Sequence, residues 1–243
     1  MELAGRVALV TGAGRRLGRA IASGLASRGA RLAIHYNAST DGAESLRDEV
    51  RAAGGEAECF AADLRDPAAA RDLPGLVARR FGALDVLVNS AAVMRQLRLE
   101  ETTPDAWDDI VGLNLRALFF TAQGAAPHLR AGRGSIVNIA DLAGLEPWPA
   151  YAAHSVSKAG VVMLTQVLAR ELAPDVTVNA VAPGAVLVPD DYDEAQRAAL
   201  ARTTPLGRLG DPGDIVDAVL YLIERGGYVT GETLVVDGGR RLR

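Results

Sequence analysis

The stretch Arg6-Val-Ala-Leu-Val-Thr-Gly-Ala-Gly-Arg-Arg-Leu-Gly-Arg19 decides how the rest of the chain is read. Val7 to Val10 is a short unbroken apolar run, the pattern of a strand buried on both faces. Gly12, Gly14 and Gly18 mark the turn that follows, and Ala20-Ile-Ala-Ser-Gly-Leu25 opens a helical run. Strand, glycine turn, helix is the context that dinucleotide-phosphate binding requires. Glycines let the backbone approach a pyrophosphate, and the first turn of a helix offers unpaired N–H groups at the positive end of its dipole. An ordinary tight strand-to-helix turn is the competing reading, so the remaining sequence has to decide.

Outward from that turn, strands and helices alternate. Arg31 to Tyr36 reads as a second strand, and Ser39 or Thr40 caps a helix that ends at Ala53 before Gly54-Gly55. Glu56 to Ala61 is a third strand, followed by a helix from Pro67 to Arg80 in which Pro74 is expected to make a break or kink. Leu84 to Asn89 is a fourth strand. Thr103 as cap and Pro104 in the first turn open a long helical region to Leu129. Gly134 to Ala140 is a fifth strand, Tyr151 to Leu172 an apolar-striped helix, and Val176 to Val181 a sixth strand. A polar stretch runs to Pro205 with a helical piece at Glu194 to Arg202. A helix from Pro212 to Glu224 and a strand from Thr233 to Val236 complete the pattern. Such alternation implies one α/β domain over residues 1–243, a single Rossmann-like doubly wound parallel sheet with helices on both faces. Ligands in such sheets bind beyond the carboxyl ends of the strands, so the residues after each strand are the candidates for function.

Composition narrows the function classes. A net charge of -4 gives no electrostatic case for nucleic acid or an anionic membrane surface. No apolar run approaches the length of a membrane span. The first strand begins so close to Met1 that no signal peptide is expected, and a single cysteine, Cys59, excludes an internal disulfide and suits a reducing cytosol. The expectation is a cytoplasmic protein with a small-molecule substrate and no metal site. Cys59 itself reads as a small buried strand residue.

Thr11-Gly12 with Gly18, Asp63 after the third strand, Asn89-Ser-Ala-Ala after the fourth, Asn114 in the long helix, Lys158 in the next and Pro183-Gly184 after the sixth strand form an ordered set. Together with the ending Tyr228-Val-Thr-Gly-Glu-Thr-Leu-Val-Val-Asp-Gly-Gly239 they resemble the short-chain dehydrogenase/reductase family over nearly the whole chain. Within it the likeness is to pteridine reductases. Arg16 stands on the turn where most members carry glycine, His35 and Tyr36 end the second strand with Ser39 shortly after, and Asp141 stands where most members use serine. The sequence also departs from the family. His154 occupies the place of the catalytic tyrosine four residues before Lys158, Tyr151 does not restore that spacing, Met94 replaces the aromatic residue that stacks on the pterin, and Ala38 replaces an arginine at the cofactor phosphate.

The resemblance implies a nicotinamide cofactor held by Thr11, Gly12, Gly14, Arg16, Leu17, Gly18, His35, Tyr36, Ser39, Asp63, Leu64, Asn89, Ser90, Ala91, Lys158, Pro183, Gly184 and Val186. It implies a substrate pocket of Met94, Asp141, Trp148, Tyr151 and His154. No carboxylate ends the second strand to bind ribose hydroxyls, and Arg16 with Ser39 can meet a 2′-phosphate, which favours NADP(H). Arg16 as a solvated helix-start residue is the alternative. Asp63 accepts from the adenine amino group or closes an Asx turn. Asn114 holds a proton-relaying water or is a structural amide. Lys158 binds the nicotinamide ribose and tunes a proton donor, or snorkels to the surface. His154, one turn before Lys158, is driven neutral by the ammonium and either binds, catalyses or is structural. Asp141 is therefore expected to donate the proton, with an Asx turn over Leu142 to Gly144 as the competing reading. The expected reaction is NADPH-dependent hydride transfer to a C=O or C=N bond, with a planar heterocycle as the first expected substrate and a small ketone or aldehyde as the second. The alternative is a dinucleotide-binding sensor or scaffold that has lost turnover. Apolar surface on the two long helices, 104–129 and 151–172, implies a homotetramer, with the tail Arg240 to Arg243 near a neighbour's pocket.

Overall fold

A computed structural model describes residues 1–188 and 192–242 of the chain. Among these, seven parallel strands form one sheet in the order β3-β2-β1-β4-β5-β6-β7. The strands are β1 (Val7–Val10), β2 (Arg31–Tyr36), β3 (Ala57–Ala61), β4 (Val86–Asn89), β5 (Ser135–Ile139), β6 (Thr177–Pro183) and β7 (Thr233–Val236). The helices are α1 (Arg16–Ser27), α2 (Thr40–Ala52), α3 (Pro67–Phe81), α4 (Pro104–Val111), α5 (Ala117–Gly132), α6 (Ala152–Leu172), α7 (Glu194–Arg202) and α8 (Pro212–Glu224). Parallel neighbours need crossover connections, which the helices provide. The strand order reverses between β1 and β4, and the crevice at their carboxyl ends is where such sheets bind ligands.

Both sheet faces are covered, which explains the unbroken apolar runs. Every residue of β1, β4 and β5 is buried. On one face Ile21 and Leu25 of α1, Leu46 of α2 and Ile223 of α8 pack against Val10 and Val88. On the other, Leu73 and Val77 of α3, Leu129 of α5 and Leu168 of α6 pack against Leu9 and Leu87. Thr103 accepts from the N–H of Ala106 at 3.2 Å with Pro104 next to it, the expected start of α4. No helix among the described residues is long and apolar enough to cross a membrane.

The structure departs from the sequence reading in several places. The long helix after Thr103 is interrupted by a π-helical turn at Gly112–Arg116; such turns insert one residue into the helix and re-aim its neighbours. α3 runs through Pro74 without a break. Its side chain is buried against the core, and the core packing outweighs the one missing N–H. β6 extends two residues further than expected, to Pro183. Cys59 is only partly buried, because β3 is an edge strand. Part of the expected polar stretch, residues 189–191, and Arg243 of the expected tail contact lie outside the described residues.

Candidate active site

The glycine turn is held open by its neighbours. Thr11 Oγ1 accepts from the N–H groups of Ser90 at 2.9 Å and Ala91 at 3.1 Å, tying the end of β1 to the end of β4. Gly12 has φ +68°, and a Cβ there would stand 2.9 Å from Ala91 Cα. A Cβ on Gly18 would overlap the Gly12 carbonyl, so α1 can start this close to the strand only with glycine. His35 lies buried behind the turn: its Nδ1 accepts from the Gly12 N–H at 3.1 Å and its Nε2 donates to the Ala62 carbonyl at 3.1 Å. Burial draws its pKa down to about 4, so the ring is neutral and its two bonds define one tautomer.

Deeper in the crevice β4, β5, α5 and α6 converge. Asn89 Nδ2 donates to Asn138 Oδ1 at 2.9 Å, and Asn138 Nδ2 donates to Thr165 Oγ1 at 2.9 Å, a buried chain that follows from the Asn89–Asn138 register. The π turn presents Asn114 to the loop after β4. Its Oδ1 accepts from the Val93 N–H at 2.8 Å, while Nδ2 donates to the Val93 carbonyl at 2.9 Å and to Ser157 Oγ at 3.2 Å. Lys158 is buried on α6 and donates to the Ile139 carbonyl at 2.7 Å. Burial pulls its pKa from 10.5 down to about 8, opposed by the charge of Asp141.

Asp141 follows β5 and uses its two oxygens differently. Oδ1 accepts from the Ala143 N–H at 2.8 Å and caps the short turn Leu142–Gly144. Oδ2 lies 3.6 Å from His154 Nε2, a buried atom with no hydrogen-bond partner. The pair sits at the crevice beside Lys158, with Asp141 the more open member. Met94 is half exposed on the loop after β4. Trp148 and Tyr151 meet edge to face at 6.0 Å, and Trp148 also lines a groove with Glu146, Pro147 and Arg241.

A dinucleotide suits this chemistry. The close approach at Gly12 and the start of α1 fit a pyrophosphate. Lys158 fits hydroxyl recognition, and the unpartnered His154 Nε2 beside Asp141 fits a polar group of a reacting molecule.

Comparison with known proteins decides the family. Residues 12–241 match the family described as enoyl-(acyl carrier protein) reductase. The chain belongs to the short-chain dehydrogenase/reductase family. A 3-oxoacyl-[acyl-carrier-protein] reductase FabG of Staphylococcus aureus is 37% identical over 237 residues, 96% of each chain. An uncharacterized oxidoreductase of Methylorubrum extorquens is 37% identical over 247 residues, covering 99% of each. The crystal structure of a dehydrogenase/reductase from Sinorhizobium meliloti superposes with a TM-score of 0.92 at 38% identity, covering 98% of this chain and 96% of that one. These relatives make the chain an oxidoreductase of that family.

Within this short-chain dehydrogenase/reductase, several residues sit differently from expectation. Arg16, with φ +50°, donates to the Leu187 carbonyl at 3.0 Å, on the loop after β6. Ser39 packs against Gly14 of the glycine turn, two residues before Arg16. His35 and the amides of Asn89 and Asn114 are committed to protein partners. Asp63 accepts from the Arg65 N–H at 3.0 Å, the Asx turn, while its side chain stays exposed. Lys158 is buried rather than snorkelling, and the charged neighbour that acts on it is Asp141. Leu64 and Ala91 line a small cavity with Asn89 beside the crevice. Leu17 and Tyr36 pack partly buried against the core, and so does Val186 on the loop from Pro183-Gly184. Gly184 is in place because a Cβ there would stand 2.7 Å from Asp237 Cα. Asn138, Ser157 and Thr165 were not singled out. Asn138 interrupts a buried strand, which is a legible signal. Ser157 and Thr165 donate to carbonyls of their own helix, and the bonds they accept from Asn114 and Asn138 come only with the tertiary fold.

Proposed function

We propose that the protein is an NADPH-dependent reductase of a carbonyl group in a small acyl or keto substrate, with Asp141 as the proton donor. The observation that carries this reading is Asp141 Oδ2 at 3.6 Å from the buried, unpartnered His154 Nε2, one helical turn from Lys158. The carboxyl group is the open end of that pair, and it is the group able to reach a substrate oxygen. The glycine turn and the start of α1 hold the pyrophosphate, and Lys158 meets the ribose of the nicotinamide. When bound, the cofactor supplies the hydride. No acid stands between Tyr36 and Thr40 to bind ribose hydroxyls, which favours the phosphorylated cofactor. Because Arg16 reaches Leu187, this preference rests on the missing acid and on Ser39.

A carbonyl substrate is favoured over a pterin. The named relative is a 3-oxoacyl reductase, and the position expected to stack on a planar heterocycle holds the half-exposed Met94. The exposed stripe Val156, Met163 and Val167 on α6, with Phe119 on α5, supports a homotetramer.

The test is a cofactor titration followed by turnover. NADPH is expected to bind at least about tenfold tighter than NADH, and a β-ketoacyl thioester to be reduced faster than any pterin or quinone. Tight NADPH binding without oxidation across that panel would favour a dinucleotide-responsive sensor. Preference for a pterin would restore the heterocycle reading.

A further inference from the structure

We propose that Ser157 is a positioning residue that sets the tautomer of His154, so that a bare Nε2, and not an N–H, faces Asp141 Oδ2. This rests on the reductase reading for its purpose but not for its geometry.

The Val93 N–H can only donate, so the Asn114 atom 2.8 Å from it is the carbonyl oxygen, and the amide orientation is settled. Asn114 Nδ2 then has two hydrogens. One goes to the Val93 carbonyl at 2.9 Å. Ser157 spends its hydroxyl hydrogen on the His154 carbonyl at 2.7 Å, which leaves its oxygen to accept the second Asn114 hydrogen at 3.2 Å. His154 Nδ1 lies 3.4 Å from Asn114 Nδ2 and 3.4 Å from the Val93 oxygen. With the amide's donors already used, Nδ1 carries a hydrogen and donates to Val93.

In the neutral Nδ1–H tautomer, Nε2 presents a lone pair rather than an N–H towards Asp141 Oδ2, 3.6 Å away in a buried position. Lys158, one turn later on α6, turns its ammonium to the Ile139 carbonyl. In turnover Asp141 passes its proton to the substrate oxygen as a hydride adds to the carbon, and a proton from water restores Asp141 through its exposed side. An N–H at Nε2 would instead point a donor at the carboxyl oxygen and oppose its reprotonation.

The test is a long-range proton–nitrogen correlation spectrum of the full chain with isotopically labelled histidine. The chain has 3 histidines, and His154→Gln identifies the signals of the one in question. The wild type is expected to show Nδ1 protonated. Ser157→Ala frees an Asn114 hydrogen for Nδ1 and is expected to move the ring proton to Nε2, lowering kcat at unchanged KM. Ser157→Thr keeps a hydroxyl and is expected to retain the wild-type tautomer, and it decides the matter with the wild type should Ser157→Ala fail to fold. A wild type with bare Nδ1, or a Ser157→Ala spectrum unchanged from wild type, overturns the proposal. The spectrum is read without turnover, so a failure of the reductase reading shows separately, as absent NADPH oxidation.

Discussion

Lys158 shows how far a single residue can work against the stability of its own fold. Its ammonium is buried, and the pKa falls from 10.5 to about 8. Between those values the unfolded chain binds the proton more readily than the folded one, so this group makes stability rise as pH climbs from about 8 to 10.5. At neutral pH the full penalty is present, about 3 kcal/mol. Lys158→Met is therefore expected to raise the unfolding free energy at pH 7 by up to that amount and to flatten the rise above pH 8, measured by urea denaturation. It should also weaken cofactor binding. The cost of a buried ammonium in Ala152-Ala-His-Ser-Val-Ser-Lys-Ala was legible from the sequence, and so was its spacing from His154. What held the ammonium was not, because the Ile139 carbonyl belongs to another element and backbone acceptors leave no trace in composition. The same holds for Val93, which fixes Asn114, and for the Gly12 N–H, which turned His35 from an expected cofactor contact into a structural ring.

Among the elements, the short turn Leu142–Gly144 and α6 set the spacing of Asp141 and His154. A Cβ on Gly144 would stand 2.6 Å from the Lys158 carbonyl carbon and 2.7 Å from its oxygen. Gly144→Ala must push the turn away from α6, and overpacking of this kind costs about 1–3 kcal/mol. The expected outcome is a lower melting temperature together with reduced turnover, because the displaced turn carries Asp141 away from His154. Full turnover with lowered stability would show that the spacing is not critical. At this scale the sequence was most legible: β1, β2, β7, α7 and α8 match their expected bounds, the strands and α8 through clean apolar runs and α7 through the Asp193 cap at its start. The π turn at Gly112–Arg116 was hidden, because it alters which way Asn114 points without altering the apolar pattern.

In the whole molecule, the sheet buries its strands on both faces, but α6 still exposes Val156, Met163 and Val167 at helical spacing. A second copy covering that stripe would bury it. Light scattering at micromolar concentration is expected to give the mass of a tetramer, and Met163→Glu is expected to lower it. A monomeric mass for the unmutated protein would remove the assembly from the account. The parallel sheet covered on both faces, with function beyond the carboxyl ends of its strands, was legible from alternation, whereas the strand order and the meeting of Asp141 with His154 required the fold.

In the proposed reaction Asp141, beside His154, donates the proton of an NADPH-dependent carbonyl reduction. The most direct measurement is steady-state oxidation of NADPH with a β-ketoacyl thioester, comparing the wild type with Asp141→Ala and His154→Ala. Asp141→Ala is expected to lower kcat by at least ~100-fold, the scale of losing a general acid, with NADPH affinity unchanged, and His154→Ala to cost less. A fully active Asp141→Ala beside an inactive His154→Ala would contradict the account and make the histidine the proton donor.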